Sequence, residues 1–159
     1  GPGFGLDIAD AGTFRAGFGV DFRRNFFCEI GGDGKVEIGD LSIFTNAMLI
    51  QISTSLTIGA RCTFGQATMI ADGNHRFRDP TTHLLDQGYD FRPIRIDDGA
   101  TVMTKCTIIA DLGKQAVVAA GSVVTKPVPA YCLAAGAPAR VIEYFGPPDE
   151  RPPGLDLPA

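Results

Sequence analysis

The chain has 159 residues, 45% of them hydrophobic and 20% charged, and its formal net charge is −4. This length suits one domain with a core of its own. The acidic excess argues against a nucleic-acid or anionic-membrane partner, since both bind a clustered basic surface, and the pair Arg23-Arg24 is too short to form one. No apolar run reaches membrane-spanning length and no signal-peptide pattern is present, so we expect a cytoplasmic protein.

An apolar residue recurs at every sixth position through most of the chain, often followed by a small or acidic residue. A helix would show periods of three and four and a simple sheet a period of two, and neither fits. The pattern predicts a parallel β-coil with three short faces to a turn and apolar residues stacked inside. The series are Ile38, Phe44 and Ile50; Ile52, Ile58, Phe64 and Ile70; Ile96, Val102 and Ile108; and Leu112, Val118 and Val124.

Interruptions of this rhythm predict where the coil is irregular. The register shifts by two between Ile50 and Ile52, and the step from Ile108 to Leu112 is short, so two irregular corners are expected. The rhythm is lost over 71–93, which predicts an extruded loop. We expect one β-coil domain over 1–145 and a proline-rich, disordered tail over 146–159.

Four cysteines could indicate disulfides or a metal site, but their spacing favours a packing role. Cys28, Cys62 and Cys106 each precede an apolar residue by two positions, and we interpret them as small inward-facing residues in one phase of the repeat. No pair has C-x-x-C spacing, so we predict no metal site.

His75 lies in the predicted loop, five residues after Ile70, and is one of two histidines in the chain. A neutral imidazole near pH 7 can accept a proton from a hydroxyl as that hydroxyl attacks a carbonyl carbon. A histidine at the point where the chain leaves the repeat is therefore the first candidate for a catalytic residue.

Three features together resemble the hexapeptide-repeat acyltransferases, over Val36 to Tyr144. They are the repeat with its histidine loop, the segment Ala120-Gly-Ser-Val-Val-Thr-Lys126, and the segment Gly136-Ala-Pro-Ala-Arg-Val-Ile142. The loop segments Asp72–Pro80, Gln87-Gly88 and Arg92-Pro93-Ile94 are similar to those of members that modify polysaccharides. The sugar O-acetyltransferase branch is the closest.

The resemblance implies an all-β fold, a left-handed parallel β-helix with an extruded loop and a short C-terminal extension. It also implies a homotrimer with active sites between subunits and acetyl-CoA as the co-substrate. The implied activity is transfer of an acetyl group to a saccharide hydroxyl, in a surface polysaccharide or a glycan precursor.

The resemblance also implies site residues. His75 falls at the family's catalytic histidine, and Asn46 lies close to its active-site asparagine, where an amide can stabilise an oxyanion. The positions expected at the coenzyme are Thr104, Ala120, Thr125, Lys126 and Arg140, the last two near its phosphates. Asp72, Arg76 and His83 are the candidates for contact with the acceptor.

The chain departs from the family at several positions. Thr101-Val102-Met103 replaces a common Trp-Ile-Gly, and Glu143 replaces a basic residue, so the pose and affinity of the coenzyme are in question. Acetyl transfer to an antibiotic or to serine, and a non-catalytic trimeric scaffold, remain alternatives. A carbonic anhydrase of this fold needs three histidine ligands at zinc and does not fit two histidines.

Overall fold

A computed structural model describes residues 1–155 and residue 157, and consists of short β-strands joined by tight corners. Two 3-10 turns, Leu84–Asp86 and Pro148–Glu150, complete the regular structure. The strands in this part of the chain are β1 (Gly5–Ile8), β2 (Thr13–Ala16), β3 (Asp21–Phe22), β4 (Phe27–Ile30), β5 (Lys35–Ile38), β6 (Ile43–Phe44), β7 (Leu49–Ile52), β8 (Ser55–Ile58), β9 (Thr63–Phe64), β10 (Met69–Ala71), β11 (Gly73–His75), β12 (Tyr89–Phe91), β13 (Ile94–Ile96), β14 (Thr101–Val102), β15 (Thr107–Ile108), β16 (Val117–Val118), β17 (Val123–Val124), β18 (Cys132–Gly136) and β19 (Ala139–Tyr144).

Three sheets, parallel except for the final pair β18–β19, form the three faces of the coil. Face A has the strand order β1-β4-β7-β10-β15-β17, face B the order β13-β8-β5-β2, and face C the order β19-β18-β16-β14-β9-β6-β3. Leu112 and Val128 extend face B as isolated parallel bridges. The chain passes from face A to B to C in each turn, as the six-residue rhythm predicts.

Columns of equivalent residues from successive turns form the core. Cys28 pairs with Ile50, Ile50 with Ile70, and Ile70 with Ile108, and all four side chains are buried. Burial of each such aliphatic side chain contributes about 1.5–3 kcal/mol. The predicted stacking of apolar residues inside the coil is confirmed.

The glycines of the repeat allow successive turns to approach closely. A Cβ on Gly65 would lie 2.5 Å from the Met103 carbonyl carbon, and one on Gly113 would lie 2.4 Å from the Ala130 nitrogen. Left-handed corner positions, by contrast, are mostly not glycine: Leu41, Arg61 and Lys105 have φ of 57° to 59°. Their N–H groups donate to carbonyls of the neighbouring turn, which offsets the local strain.

Both predicted irregular corners are confirmed. Phe27 pairs with Leu49, a step of 22 residues, whereas Lys35 pairs with Ser55, a step of 20. The corner between β7 and β8 is therefore two residues shorter than the corner between β4 and β5. The turn that contains Leu112 is short as well, because Ile96 bridges to Leu112 over 16 residues.

The predicted extruded loop contains a β-hairpin. β11 pairs antiparallel with β12, in the register Gly73 with Phe91, Asn74 with Asp90 and His75 with Tyr89. The side chain of Arg92 donates to the Ile109 carbonyl and so fastens the end of the hairpin to the next turn of the coil. The loop returns to face B at β13.

The C-terminal part of the chain folds back along face C. β18 pairs antiparallel with β19, and Val141, Tyr144 and Leu155 pack against the core. Disorder of the tail stays a prediction, and its positions 156, 158 and 159 lie outside the described residues. Neither 3-10 turn in the described ranges is long and apolar enough to cross a membrane.

Candidate active site

A cavity of about 610 Å³ lies where face A meets the extruded loop. Its floor comes from the outer side of β7, β10 and β15, and its wall from the hairpin strands β11 and β12. The apolar part of its lining includes Met69, Ile109 and Phe91, and the polar part includes Glu29 and Gln51. Such a mixture of apolar surface and a few polar groups is typical of ligand sites.

His75 ends β11 and lies in the wall of this cavity, partly exposed. The centroid of its imidazole lies 4.1 Å from that of the Tyr89 ring, at an interplanar angle of 37°. Within the described residues, its Nδ1 atom is buried and has no hydrogen-bond partner. A buried polar atom of this kind is uncommon in native proteins and often marks a functional group.

A second cavity, of about 320 Å³, also includes His75 and lies on the loop side. Arg76, Arg78 and Asp79 are among its lining residues. Arg76 Nε donates to the Asp90 carboxylate at 2.6 Å, and the Arg78 guanidinium lies 5.1 Å from the centroid of the Phe77 ring. Arg76, which the sequence predicts to contact the acceptor, therefore directly follows His75 in the chain but lines this second cavity and not the larger one.

Asp72 connects the histidine hairpin to the short corner after β7. Its buried carboxylate accepts hydrogen bonds from the Ser53 N–H at 3.0 Å and from the N–H and hydroxyl of Thr54 at 2.6 Å each. It also lines the larger cavity. Because these bonds occupy the carboxylate, the geometry favours a role in positioning the hairpin over the acceptor contact expected from the sequence.

His83 precedes the 3-10 turn Leu84–Asp86 and is exposed, and it lines neither of the two cavities that include His75. Its Nδ1 accepts a hydrogen bond from the Leu85 N–H at 3.3 Å. Nearby, the hydroxyls of Thr81 and Thr82 hold the pKa of Asp79 at about 2. This outer part of the loop is organised by its own hydrogen bonds, and the acceptor contact expected of His83 stays a prediction.

Asn46 lies at the corner between β6 and β7, exposed, and is not part of the cavity lining. Its Oδ1 accepts a hydrogen bond at 3.2 Å from the N–H of Arg24 in the adjacent turn of the coil. A single subunit therefore does not bring the Asn46 side chain into the cavity with His75.

Two residues expected at the coenzyme occupy equivalent corners of successive turns. Thr101 pairs with Val117, which places Thr104 and Ala120 one above the other after face C. The Gly121 N–H donates to the Thr104 carbonyl at 2.9 Å. Both residues lie at the corner that leads into face A, so they border its last two strands.

Thr125 and Lys126 follow β17 at the opposite end of the same strands. The Ile109 N–H donates to the Val124 carbonyl at 3.0 Å, so Thr125 lies one turn beyond the Ile109 that lines the cavity. Arg140 is exposed on β19 and pairs with Ala135. The five expected coenzyme positions thus lie around the C-terminal turns of the coil.

Tyr89, Phe91 and Gly73 also belong to the site, although no sequence motif indicates them. The two rings stack with centroids 5.3 Å apart and an interplanar angle of 16°, and both line the larger cavity. The alternation Tyr89-Asp90-Phe91 is the signal that predicts a strand with two rings on one side. It is too short to be distinguished from loop sequence without its partner strand.

The fold is similar to those of several solved structures. The hexapeptide-repeat acetyltransferase VCA0836 from Vibrio cholerae, complexed with acetyl coenzyme A, matches with a TM-score of 0.74 and 24% identity over 84% of this chain and 72% of that one. The chain has the hexapeptide-repeat fold. This left-handed β-helix also matches galactoside acetyltransferase in complex with coenzyme A, at a TM-score of 0.72 and 23% identity over 92% of this chain and 72% of that one.

In sequence, the β-helix is similar to a probable acetyltransferase, Rv3034c, from Mycobacterium tuberculosis. The two are 27% identical over 113 residues, which are 70% of this chain and 38% of that protein. The chain therefore spans well under half the length of this relative. No family model matches the chain. Among the described residues, no cluster of three or more His, Cys, Asp or Glu side chains could hold a metal ion.

Proposed function

We propose that the chain is an acetyl-CoA-dependent O-acetyltransferase that acetylates a saccharide hydroxyl, with His75 as the general base. The observation that carries the proposal is the His75 imidazole in the wall of a cavity of about 610 Å³ on a hexapeptide-repeat β-helix. Likeness to galactoside acetyltransferase supports a saccharide acceptor, of the kind found in surface polysaccharides or their precursors.

The chemistry follows from the imidazole. His75 accepts the proton of the acceptor hydroxyl while its oxygen attacks the thioester carbonyl carbon. When the tetrahedral intermediate collapses, the C–S bond breaks and the imidazolium returns the proton to the departing thiolate. The products are the acetyl ester and the free thiol of coenzyme A. Oxyanion stabilisation by Asn46 depends on the assembly, because one subunit keeps this residue at another corner.

For the coenzyme, we assign the C-terminal turns of face A. Thr104 and Ala120 border one end of strands β15 and β17, while Thr125 and Lys126 border the other. The exposed cations Lys126 and Arg140 suit the phosphate groups. Two structural neighbours were solved in complex with acetyl coenzyme A or coenzyme A, which supports acetyl-CoA as co-substrate.

We also propose a homotrimer, in which face A meets a neighbouring subunit. One of the two outward columns of face A carries no charge and remains partly exposed in one subunit; it consists of Phe27, Leu49, Met69, Thr107 and Val123. The other outward column includes Asp7, Glu29 and Gln51 and is confined to the first turns. On face B, the exposed outward column is mostly charged and consists of Arg15, Glu37, Thr57 and Arg95. Such a difference between faces favours assembly through the apolar one. The cytoplasmic location expected from the sequence fits a reaction that consumes acetyl-CoA.

The proposal is tested in two steps, binding and turnover. Coenzyme A at about 100 times its dissociation constant stabilises a folded protein by about 2.7 kcal/mol, so the melting temperature should rise clearly with added ligand. Turnover is followed by release of free thiol from acetyl-CoA in the presence of methyl glycosides. Lys126→Ala should weaken the binding of coenzyme A, whereas Lys35→Ala, on the outside of face B, should leave it unchanged.

Absence of any shift with 1 mM coenzyme A would refute the enzyme proposal and leave the non-catalytic scaffold. Binding without thiol release by any hydroxyl acceptor, serine included, would refute the O-acetyltransferase reaction.

A further inference from the structure

An exposed pair of aromatic rings lies beside His75. Tyr89 and Phe91 are 45% and 44% exposed, although each belongs to a strand of the hairpin. Their rings are nearly parallel, with an interplanar angle of 16°, and their centroids are 5.3 Å apart. We call this pair the aromatic platform.

The opposite strand of the hairpin makes room for the platform. Gly73 pairs with Phe91, and a Cβ at this position would lie 2.3 Å from the nearest atom of the Phe91 ring. Phe91 can therefore lie across the backbone of β11 instead of being pushed away from it. His75 pairs with Tyr89, and the two rings lie 4.1 Å apart between centroids.

The platform lies in the cavity together with a small number of polar groups. Glu29 and Gln51 line the same cavity, and the Gln51 side-chain amide donates to the Glu29 carboxylate at 3.0 Å. That bond leaves further acceptor positions on both side chains. The cavity therefore combines two exposed aromatic rings, two hydrogen-bonding side chains and one imidazole.

A pyranose ring matches this arrangement. One side of such a ring presents mainly C–H groups, which pack against the electron-rich face of an aromatic ring. Its edge presents hydroxyls, which require hydrogen-bond partners once they leave water. An acyclic alcohol such as serine or glycerol has no flat C–H surface and gains little from two stacked rings.

We propose that the Tyr89–Phe91 platform is the acceptor subsite, and that it binds a pyranose ring by its C–H face with a hydroxyl directed at His75. This inference rests on the function proposed above and specifies it further. It excludes serine-like acceptors, because they would leave the platform empty. It also assigns Tyr89 and Phe91 as specificity-determining residues.

Saturation-transfer-difference NMR tests the subsite without requiring turnover. The probes are methyl β-D-galactopyranoside and methyl α-D-glucopyranoside, each titrated into the protein with coenzyme A present, and glycerol serves as the ring-free probe. We expect saturation transfer to ring C–H protons of at least one glycoside and none to glycerol. Tyr89→Ala and Phe91→Ala should each raise the dissociation constant roughly tenfold. Tyr89→Phe keeps the ring and should bind like the original chain.

Leu85→Ala is the matched control, because Leu85 is a large, 66% exposed apolar residue of the same loop outside the cavity. His75→Ala should retain glycoside binding, since the imidazole is proposed to transfer a proton and not to bind the glycoside. The inference is overturned if neither glycoside receives saturation, if glycerol receives as much, or if both alanine variants bind as tightly as the original chain.

Calorimetry with coenzyme A separates this inference from the proposed function. If coenzyme A binds and the glycosides fail to contact the platform, only the subsite is refuted. If coenzyme A does not bind, the proposed function itself is refuted. In the platform variants, unchanged coenzyme A affinity also shows that the β-helix has folded. An effect on kcat with an unchanged KM for the glycoside would instead assign Tyr89 to holding His75, and would overturn the subsite.

Discussion

The Asp72 carboxylate accepts two hydrogen bonds from Thr54, one from its backbone N–H and one from its hydroxyl, each 2.6 Å long. Asp72 directly follows β10 and directly precedes β11, which ends at His75. Thr54 lies in the corner that is two residues short. The short corner and the extruded loop are therefore coupled, because the side chain at the root of the loop satisfies the donors that the shortened corner leaves free.

Asp72→Ala should destabilise the protein and reduce turnover. Loss of the carboxylate leaves two backbone N–H groups and a hydroxyl without their partner in a largely buried place, which costs roughly 1–3 kcal/mol. The release of the hairpin root should also lower kcat. Urea unfolding and initial rates measure the two effects. Asp79→Ala is the control, because Asp79 is exposed and bonds only within the outer loop, so neither value should change much. Equal effects of the two substitutions would contradict the coupling.

His75→Ala should abolish transfer while preserving the fold and the binding of coenzyme A. Loss of a general base lowers the rate by about 10²–10⁴-fold. Because the imidazole is partly exposed and packs against the half-exposed ring of Tyr89, the melting temperature should change little. His83→Ala, at the other histidine of the chain, should retain the original kcat at saturating acceptor, because loss of a contact to the acceptor would appear in KM. A similar loss of rate in both variants would remove the specific role assigned to His75.

Gly73→Ala should disturb the platform through Phe91. The added Cβ would overlap the Phe91 ring, so this half-exposed ring must move away from its preferred rotamer, with an expected cost of about 0.5–1.5 kcal/mol. We expect a raised KM for a glycoside acceptor. Phe91→Leu makes space, so Gly73→Ala added to Phe91→Leu should have little further effect on stability. This double-mutant cycle measures the coupling, and strictly additive effects would show that Gly73 acts elsewhere.

The cysteine thiols should resist modification in the folded protein. All four are buried and free, and burial raises the pKa of Cys28 to about 12 and that of Cys62 to about 11, from 9.0. At pH 8 a disulfide reagent should label the thiols only after unfolding in urea. Rapid labelling of the native protein would contradict the buried positions.

The same shifts have a consequence at alkaline pH. The unfolded thiols ionise near pH 9, whereas the folded ones stay protonated to about pH 11 and 12. Their contribution to stability is therefore full below pH 9 and is lost as the pH rises through 9 to 12. Cys62→Ala should show a flatter decline of the free energy of unfolding between pH 9 and 11. An unchanged slope would show that the thiol does not take part.

The interpretation of the cysteines shows what periodicity can miss. Burial was predicted correctly, but Cys28 lies within β4, whereas Cys62 and Cys106 directly precede β9 and β15. The three do not share one position of the repeat, as the spacing to the next apolar residue had suggested. β4 has two buried, inward residues, Cys28 and Ile30, whereas β9 and β15 have one each, so two-residue spacing alone does not fix the position of a cysteine.

The sequence by itself determined the coil, its two short corners, the position of the loop and the place of His75 after Ile70. These follow because each turn stacks on an equivalent turn, so the packing requirement repeats along the chain as a local pattern. Only the tertiary structure decided what surrounds the histidine. Tyr89 reaches it through antiparallel pairing, Asp72 turns to the corner after Ile52, and Asn46 stays at another corner. These relationships depend on hairpin register and side-chain direction, which no local period encodes.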